Sequence, residues 1–278
     1  MQIHPSGEFR SGAIARRLSP RRFQPLRASL VLALLGLAFP SMGISADRPA
    51  PTANDEEESI TKGVEAVLSD AKALVLLPLS MDRYDALKLG GAVGFVGGLI
   101  AADHPIRTFV QRNTTSKGTD AANQVSDWLG SGPLLGYTAA AIAIGVANES
   151  YGGSSRLKET GLVSFEAEGF AISATSMLKF ITGRARPDQN QGATHFRPFT
   201  GLDTSFASTT AASSFAMATV IAERYSGAGW VAYPLAGAVS AARVYTDKHF
   251  TSDVVAGALI GYGLGHFINR QHTGDPKD

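Results

Sequence analysis

Residues 178–187 read LKFITGRARP, and residues 242–253 read ARVYTDKHFTSD. In the first stretch Lys179 and Arg186 are placed so that, on a continuous helix, they share a face about two turns apart. Pro187 cannot continue that helix, so the chain turns after Arg186. Two cations at one helix end repel unless something anionic sits between them. In the second stretch His249 and Asp253 are spaced i, i+4, and on a helix their side chains meet. A carboxylate that takes the proton of one imidazole nitrogen fixes the tautomer and leaves the other nitrogen free to attack. Each pattern taken alone has an ordinary structural explanation. Basic residues favour helix C-termini, and a His–Asp pair can lie on the surface beside a helix cap at Thr251 or Ser252.

Around these stretches there is no strand-type alternation of any length. Long segments rich in Ala, Gly, Ser and Leu predict helices over 63–77, 83–102, 105–112, 119–129, 133–148, 157–182, 207–225, 229–244 and 250–269. Loops are marked by Pro78 and by 113–118, 151–155 and 187–204. The fold class is therefore all-α. Three stretches, Trp128–Asn148, Thr204–Ala222 and Tyr225–Ala242, lack Asp, Glu, Lys and Arg. They approach the ~20 residues that a transmembrane helix needs. Either they are fully buried in a water-soluble bundle, or they lie in lipid and pack through small residues. A mean hydropathy of +0.04 favours the water-soluble bundle.

The chain has 278 residues, 44% of them hydrophobic and 18% charged, which suits a folded core. Cysteine is absent, so disulfides and thiolate metal sites are excluded. Of 25 basic and 24 acidic residues, 1–46 hold six Arg and one Glu, leaving a body with 19 basic and 23 acidic residues. An acidic body argues against a nucleic-acid partner. The Arg-rich start, the apolar run Leu30 to Phe39, and the small pair Ser45-Ala46 predict a signal peptide over 1–46 and an exported, periplasmic or membrane-associated protein. Residues 47–62 read as an acidic, Pro-rich linker, 63–270 as the helical domain, and 271–278 as a polar tail.

Taken together, the order Lys-x6-Arg-Pro and then Arg-x5-His-x3-Asp resembles the type-2 phosphatidic acid phosphatase and vanadium haloperoxidase superfamily. Its first and third motifs are matched at Lys179, Arg186, Pro187, Arg243, His249 and Asp253. The flanks agree: Glu166 and Glu168 precede Lys179, and Gly257 and Gly261 follow Asp253. The resemblance covers about 160–270 and implies the helical bundle of that superfamily. It further implies that Lys179, Arg186 and Arg243 hold the non-bridging phosphate oxygens. His249 would attack phosphorus to form a phosphohistidine, with Asp253 orienting it, in a scheme that uses no metal or cofactor. The implied substrate is a phosphorylated lipid, a polyprenyl diphosphate or a small phosphoester, with possible membrane contact.

The middle motif departs from the pattern. Where the superfamily has Pro-Ser-Gly-His after Ser-Phe, this chain has Ala207-Ser208-Thr209-Thr210 after Ser205-Phe206. Ser208 and the Thr209 amide are still expected to meet phosphate at a helix N-terminus. Thr210 stands where the superfamily has its general acid, and a hydroxyl cannot do that work near neutral pH. His195, in the loop before this motif, is a poor substitute. Two further readings follow: a catalytically impaired relative that binds phosphate or has a structural role, and a vanadate-dependent haloperoxidase. His104 and His266 have no partner at ligand spacing, Trp128 and Trp230 read as packing or interface residues, and no four-ligand zinc pattern occurs.

Overall fold

The small-residue stretches form helices, and their lack of bulk decides how closely those helices approach. The computed structural model describes residues 53–273, with side chains from 61 onward. All of these lie in one unit, Ile44–Asp278. Among them are eight α-helices: α1 (Ala53–Ser80), α2 (Arg83–Arg112), α3 (Ser116–Leu129), α4 (Ser131–Ser150), α5 (Arg156–Thr182), α6 (Thr209–Arg224), α7 (Gly229–Tyr245) and α8 (Thr251–Thr273). A 3-10 turn occupies Pro187–Gln189. The one β-feature among the described residues is an isolated bridge between Arg184 and Phe196. The fold is all-α, as the sequence predicts.

Several boundaries differ from the sequence reading. Helix α1 begins at Ala53, inside the stretch read as linker, and runs through Pro78 to Ser80. Pro78 falls in the last turn, where the Ser80 hydroxyl donates to the Leu77 carbonyl (3.0 Å) and satisfies one end carbonyl. Helix α2 is continuous where Pro105 suggests a break between 102 and 105. Tertiary anchors on both sides of Pro105 hold it: Asp103 accepts from the Ser252 amide at 3.0 Å, and Arg107 Nε donates to Asp247 at 2.7 Å. Helix α8 continues to Thr273, into the expected tail. The expected signal peptide, 1–46, lies outside the described residues, as do 47–52 and 274–278.

The core is built mostly from alanine. Val163, Ala167 and Ala171 of α5 pack against Ala212, Ala216 and Val220 of α6 and Ile268 of α8, with Leu74 of α1 against the same cluster. A smaller cluster joins Val96, Ala207 and Ala256. On α8 the glycines 257, 261 and 265 form one face, and a Cβ on any of them would run into the carbonyl oxygens of Ser208, Ala212 or Ala216 of the α6 strip. The backbones of α6 and α8 are therefore in direct contact. This contact sets the start of α6 beside the start of α8, where the second and third sequence motifs lie.

Helix α2 is long and apolar enough to cross a membrane, with only 6% of its apolar window buried. Leu87, Leu89, Val93, Phe95 and Phe109 are exposed along it. Helices α3 and α4 pass the same test as a pair bent by 40°. Of the three charge-free stretches, only Trp128–Asn148 falls within these segments.

Gly261→Val is expected to destabilise the protein by about 1–3 kcal/mol, because the added carbons meet backbone that cannot yield. Thermal unfolding measures this, and an unchanged midpoint would mean that α6 and α8 are not in backbone contact.

Candidate active site

The last turn of α5 delivers the first motif. Gly183 ends the helix in the left-handed region (φ 58°), and its amide donates to the Lys179 carbonyl at 2.9 Å. A side chain there would collide with the Arg197 carbonyl, so glycine is required twice over. Lys179 is buried and its Nζ donates to the Thr204 carbonyl at 2.5 Å. Burial, together with the neighbouring positive charge of Arg186, pushes its ammonium down to about 8.

Beyond the turn, Arg184 and Arg186 point to different tasks. Arg184 is fully buried. Its Nη1 donates to Asp253 Oδ1 at 2.6 Å and to Ser252 Oγ at 2.7 Å, and its Nη2 donates to Asp103 Oδ2 at 2.8 Å. Nε and Nη2 also reach the Ala193 carbonyl at 2.8 and 2.6 Å. Phe250 and Phe196 flank the guanidinium at 4.4 and 5.6 Å. Every donor direction is taken by protein, so Arg184 is structural and does not bind ligand. Sequence reading missed this role and missed Asp103 altogether. A lone acid near the end of an apolar helix was the available signal.

His249 lies in the turn before α8 and is 4% exposed. Its Nδ1 is 2.9 Å from the Ser205 carbonyl, an acceptor only, so Nδ1 carries the proton and Nε2 the lone pair. Asp253 Oδ2 stands 3.7 Å from Nδ1, too far for a hydrogen bond. The expectation that Asp253 takes the imidazole proton is thereby corrected: the Ser205 carbonyl takes it. Asp253 is held by Arg184 and by the Phe250 amide (2.8 Å), which stabilises the turn carrying His249. Burial pushes the His249 imidazole down to about 4, against the opposing pull of Asp253. Burial works to raise the Asp253 carboxyl, but His249 and Arg184 outweigh it and hold it below its ordinary value.

Arg243, in the last turn of α7, has a buried Nε without a hydrogen-bond partner among the described residues. Burial and the charge of Arg186 push its guanidinium down from the usual range. An orphaned donor beside a second cation suits an anion. Arg186, Asp188, Gln189, Asp203, Arg243 and Lys248 line a polar cavity of about 490 Å³. Lys179 and His249 are not among its lining residues, and both Arg186 and Lys248 are occupied. Arg186 meets Asp203 Oδ1 through Nε at 3.0 Å and Nη2 at 2.9 Å, and Lys248 meets Asp188 at 2.8 Å.

The middle motif forms the start of α6, but Ser208 is placed differently from the sequence expectation. It is fully buried as the N-cap; its hydroxyl accepts from the Ala211 amide at 3.4 Å and its own amide donates to the Asp253 carbonyl at 2.9 Å. The hydroxyl thus caps α6, and the amide ties the start of α6 to α8. The Thr209 hydroxyl bonds the Thr175 hydroxyl at 3.1 Å. The amides of Thr209 and Thr210 belong to the first helical turn, which has no intrahelical acceptors. His195 is half-buried with an unpartnered Nε2 and does not line the cavity.

Comparison with known proteins finds that residues 161–276 match the family model described as PAP2 superfamily. This bears out the resemblance read from the two motifs. No curated protein matches the chain. Among solved structures it is similar to the first transmembrane PAP2 type phosphatidylglycerolphosphate phosphatase from Bacillus subtilis, at 18% identity and a TM-score of 0.49, covering 74% of this chain and 94% of that one.

Asp103→Asn removes one of the two carboxylates that neutralise Arg184. Breaking a buried ion pair on one side costs about 3–5 kcal/mol. Chemical denaturation is expected to show a loss of that size; a loss near zero would mean that Arg184 is solvated.

Proposed function

We propose that this chain, whose residues 161–276 fall in the PAP2 superfamily, is a phosphatase-type hydrolase acting on a phosphorylated lipid, a polyprenyl diphosphate or a small phosphoester. One observation carries the reading: a buried neutral imidazole, its Nδ1–H tied to the Ser205 carbonyl, lies close to Lys179 and Arg243, whose charges further lower its proton affinity. Its free nitrogen is thus kept unprotonated next to cations that need an anion.

In the proposed reaction the phosphate group displaces Asp203 from Arg186. Arg186 and Arg243 hold its oxygens through paired N–H donors, and Lys179 adds a point charge. The first-turn amides of Thr209 and Thr210 donate at the positive end of α6. His249 Nε2 then forms an N–P bond as the P–O bond to the leaving group breaks. The cations stabilise the charge on the equatorial oxygens of the transition state. Water breaks the N–P bond in the second step and releases inorganic phosphate. The scheme asks for no metal or cofactor. Asp253 and Arg184 act through position, holding the turn on which His249 sits. Exposed apolar residues along α2 support membrane association and a lipid-borne phosphate, and the Arg-rich apolar start of the sequence supports export.

A second reading, a catalytically impaired relative that binds phosphate, is favoured by Thr210 at the position of the superfamily acid and by the carboxylate already seated on Arg186. The leaving group separates the two. Without an acid, a departing alkoxide is slowed about 10²–10⁴-fold, whereas an aryl oxide or a phosphate leaves as a stable anion. Purified full-length protein is expected to release phosphate from p-nitrophenyl phosphate and from diphosphates well above its rate on glycerol phosphate, and His249→Ala to abolish all of these. Release from none of them would establish the impaired relative. Thr209→Gly with Thr210→His is expected to raise the rate on glycerol phosphate.

The rate on p-nitrophenyl phosphate should also report two titrations. His249 must be neutral to attack, so activity falls as pH drops through about 4. Lys179 must be charged to hold phosphate, so activity falls as pH rises through about 8. An acid limb near the ordinary histidine value of about 6.5 would show that His249 is not buried in the working enzyme.

A further inference from the structure

Along the sequence Glu166 stands only as a flank of the first motif. It lies on α5 about 20 Å along the helix from Lys179. In the fold it meets two residues far away in sequence, Asp70 of α1 and His272 in the last turn of α8. His272 Nε2 is 2.9 Å from Glu166 Oε2 and 3.3 Å from Asp70 Oδ2. Three potential ligand atoms, one from each residue, lie within 4.8 Å of one another.

The Asp70 and Glu166 side chains are each only 9% exposed. Asp70 Oδ2 and Glu166 Oε1 are buried, yet neither accepts a hydrogen bond among the described residues. Buried carboxylate oxygens without donors, aimed at one imidazole nitrogen, leave a deficit of positive charge at a single point.

We propose that Asp70, Glu166 and His272 form a binding site for a divalent transition-metal ion, which clasps α1 to α5 and α8. One imidazole nitrogen and two carboxylates form a donor set used for zinc and manganese. Ligand atoms about 2.0–2.2 Å from one tetrahedral ion stand roughly 3.3–3.6 Å apart; the 3.3 Å separation already fits, and the 2.9 Å contact opens by a few tenths of an ångström when the ion replaces the shared proton. The ion replaces the proton that Nε2 shares with Glu166, and water completes the coordination. The site is structural and separate from the phosphate cavity. What it secures is α1, whose Val64, Leu68, Val75 and Leu79 are exposed and whose Leu74 reaches the core. No linear spacing announces such a site, because each ligand comes from a different helix.

The test uses the full-length chain without a histidine tag, stripped with EDTA and dialysed separately against Zn2+ and Mn2+, with Mg2+ as a control. Wild type is expected to retain about one equivalent of Zn2+ or Mn2+ after desalting and to unfold at a higher temperature with the ion bound. Asp70→Asn, Glu166→Gln and His272→Ala should each weaken retention at least ~10-fold and remove the thermal shift. His272 is at the end of α8 with its side chain 30% exposed, so His272→Ala tests the site with little risk to folding. His266→Ala removes the imidazole of another His–carboxylate pair, that with Glu223 at 2.6 Å, and should behave as wild type. If wild type retains no more Zn2+ or Mn2+ than His272→Ala, or if its unfolding ignores both ions, the three residues are an ion-pair latch and the proposal fails.

Discussion

The buried guanidinium of Arg184 lies between the carboxylates of Asp103 and Asp253 and beside two phenyl rings, where water cannot screen it. Ions in such a place are tolerated only when every donor and acceptor is satisfied. Here they are, through Ser252 and the Ala193 carbonyl. The arrangement joins α2, the turn after α5 and the start of α8. It also gives Asp253 its working position, since that carboxylate is anchored by Arg184 and the Phe250 amide and not by the imidazole it is paired with in sequence. The turn that carries His249, the proposed nucleophile, is thus held by an ion pair that the imidazole does not join.

Burial then sets the protonation of His249 and Lys179. It lowers the proton affinity of both His249 and Lys179, but from different starting values, so the imidazole becomes neutral while the ammonium stays charged near neutral pH. In the proposed reaction one desolvated region thereby supplies both the nucleophile and a charge that holds phosphate. The close contact of α6 with α8 maintains that region, because the glycine face of α8 admits the α6 backbone where any side chain would keep water-sized gaps open.

The sequence makes much of this legible. Spacing pairs Lys179 with Arg186 and His249 with Asp253, the resemblance to the superfamily adds Arg243 and joins the two pairs into one site, and the absence of alternation identifies an all-helical fold. What spacing encodes is adjacency along a helix. It does not say which of two neighbouring arginines turns inward, so Arg184 reads as one more cation beside Arg186. It places Asp253 near His249 but cannot reveal that the Ser205 carbonyl lies closer. Pro105 suggests a helix end, and tertiary anchors on both sides of it override that preference. Asp103 falls just past the predicted end at 102, and so its partnership goes unseen. Ser208 is singled out in sequence by its residue type, while in the fold its hydroxyl caps α6 and its amide bonds the Asp253 carbonyl of α8.

The carboxylate that Asp203 places on Arg186 gives the resting protein a resident competitor tethered at high local concentration. In the proposed reaction, where Arg186 takes the substrate phosphate, any incoming anion is judged against it. Chloride, acetate and other monoanions bring no more charge than Asp203 already supplies and gain little by replacing it, whereas a phosphate dianion brings twice the charge and a third oxygen. On that proposal the pair sets a threshold on valence: abundant weak anions of the surrounding medium are kept off the arginine without any steric barrier.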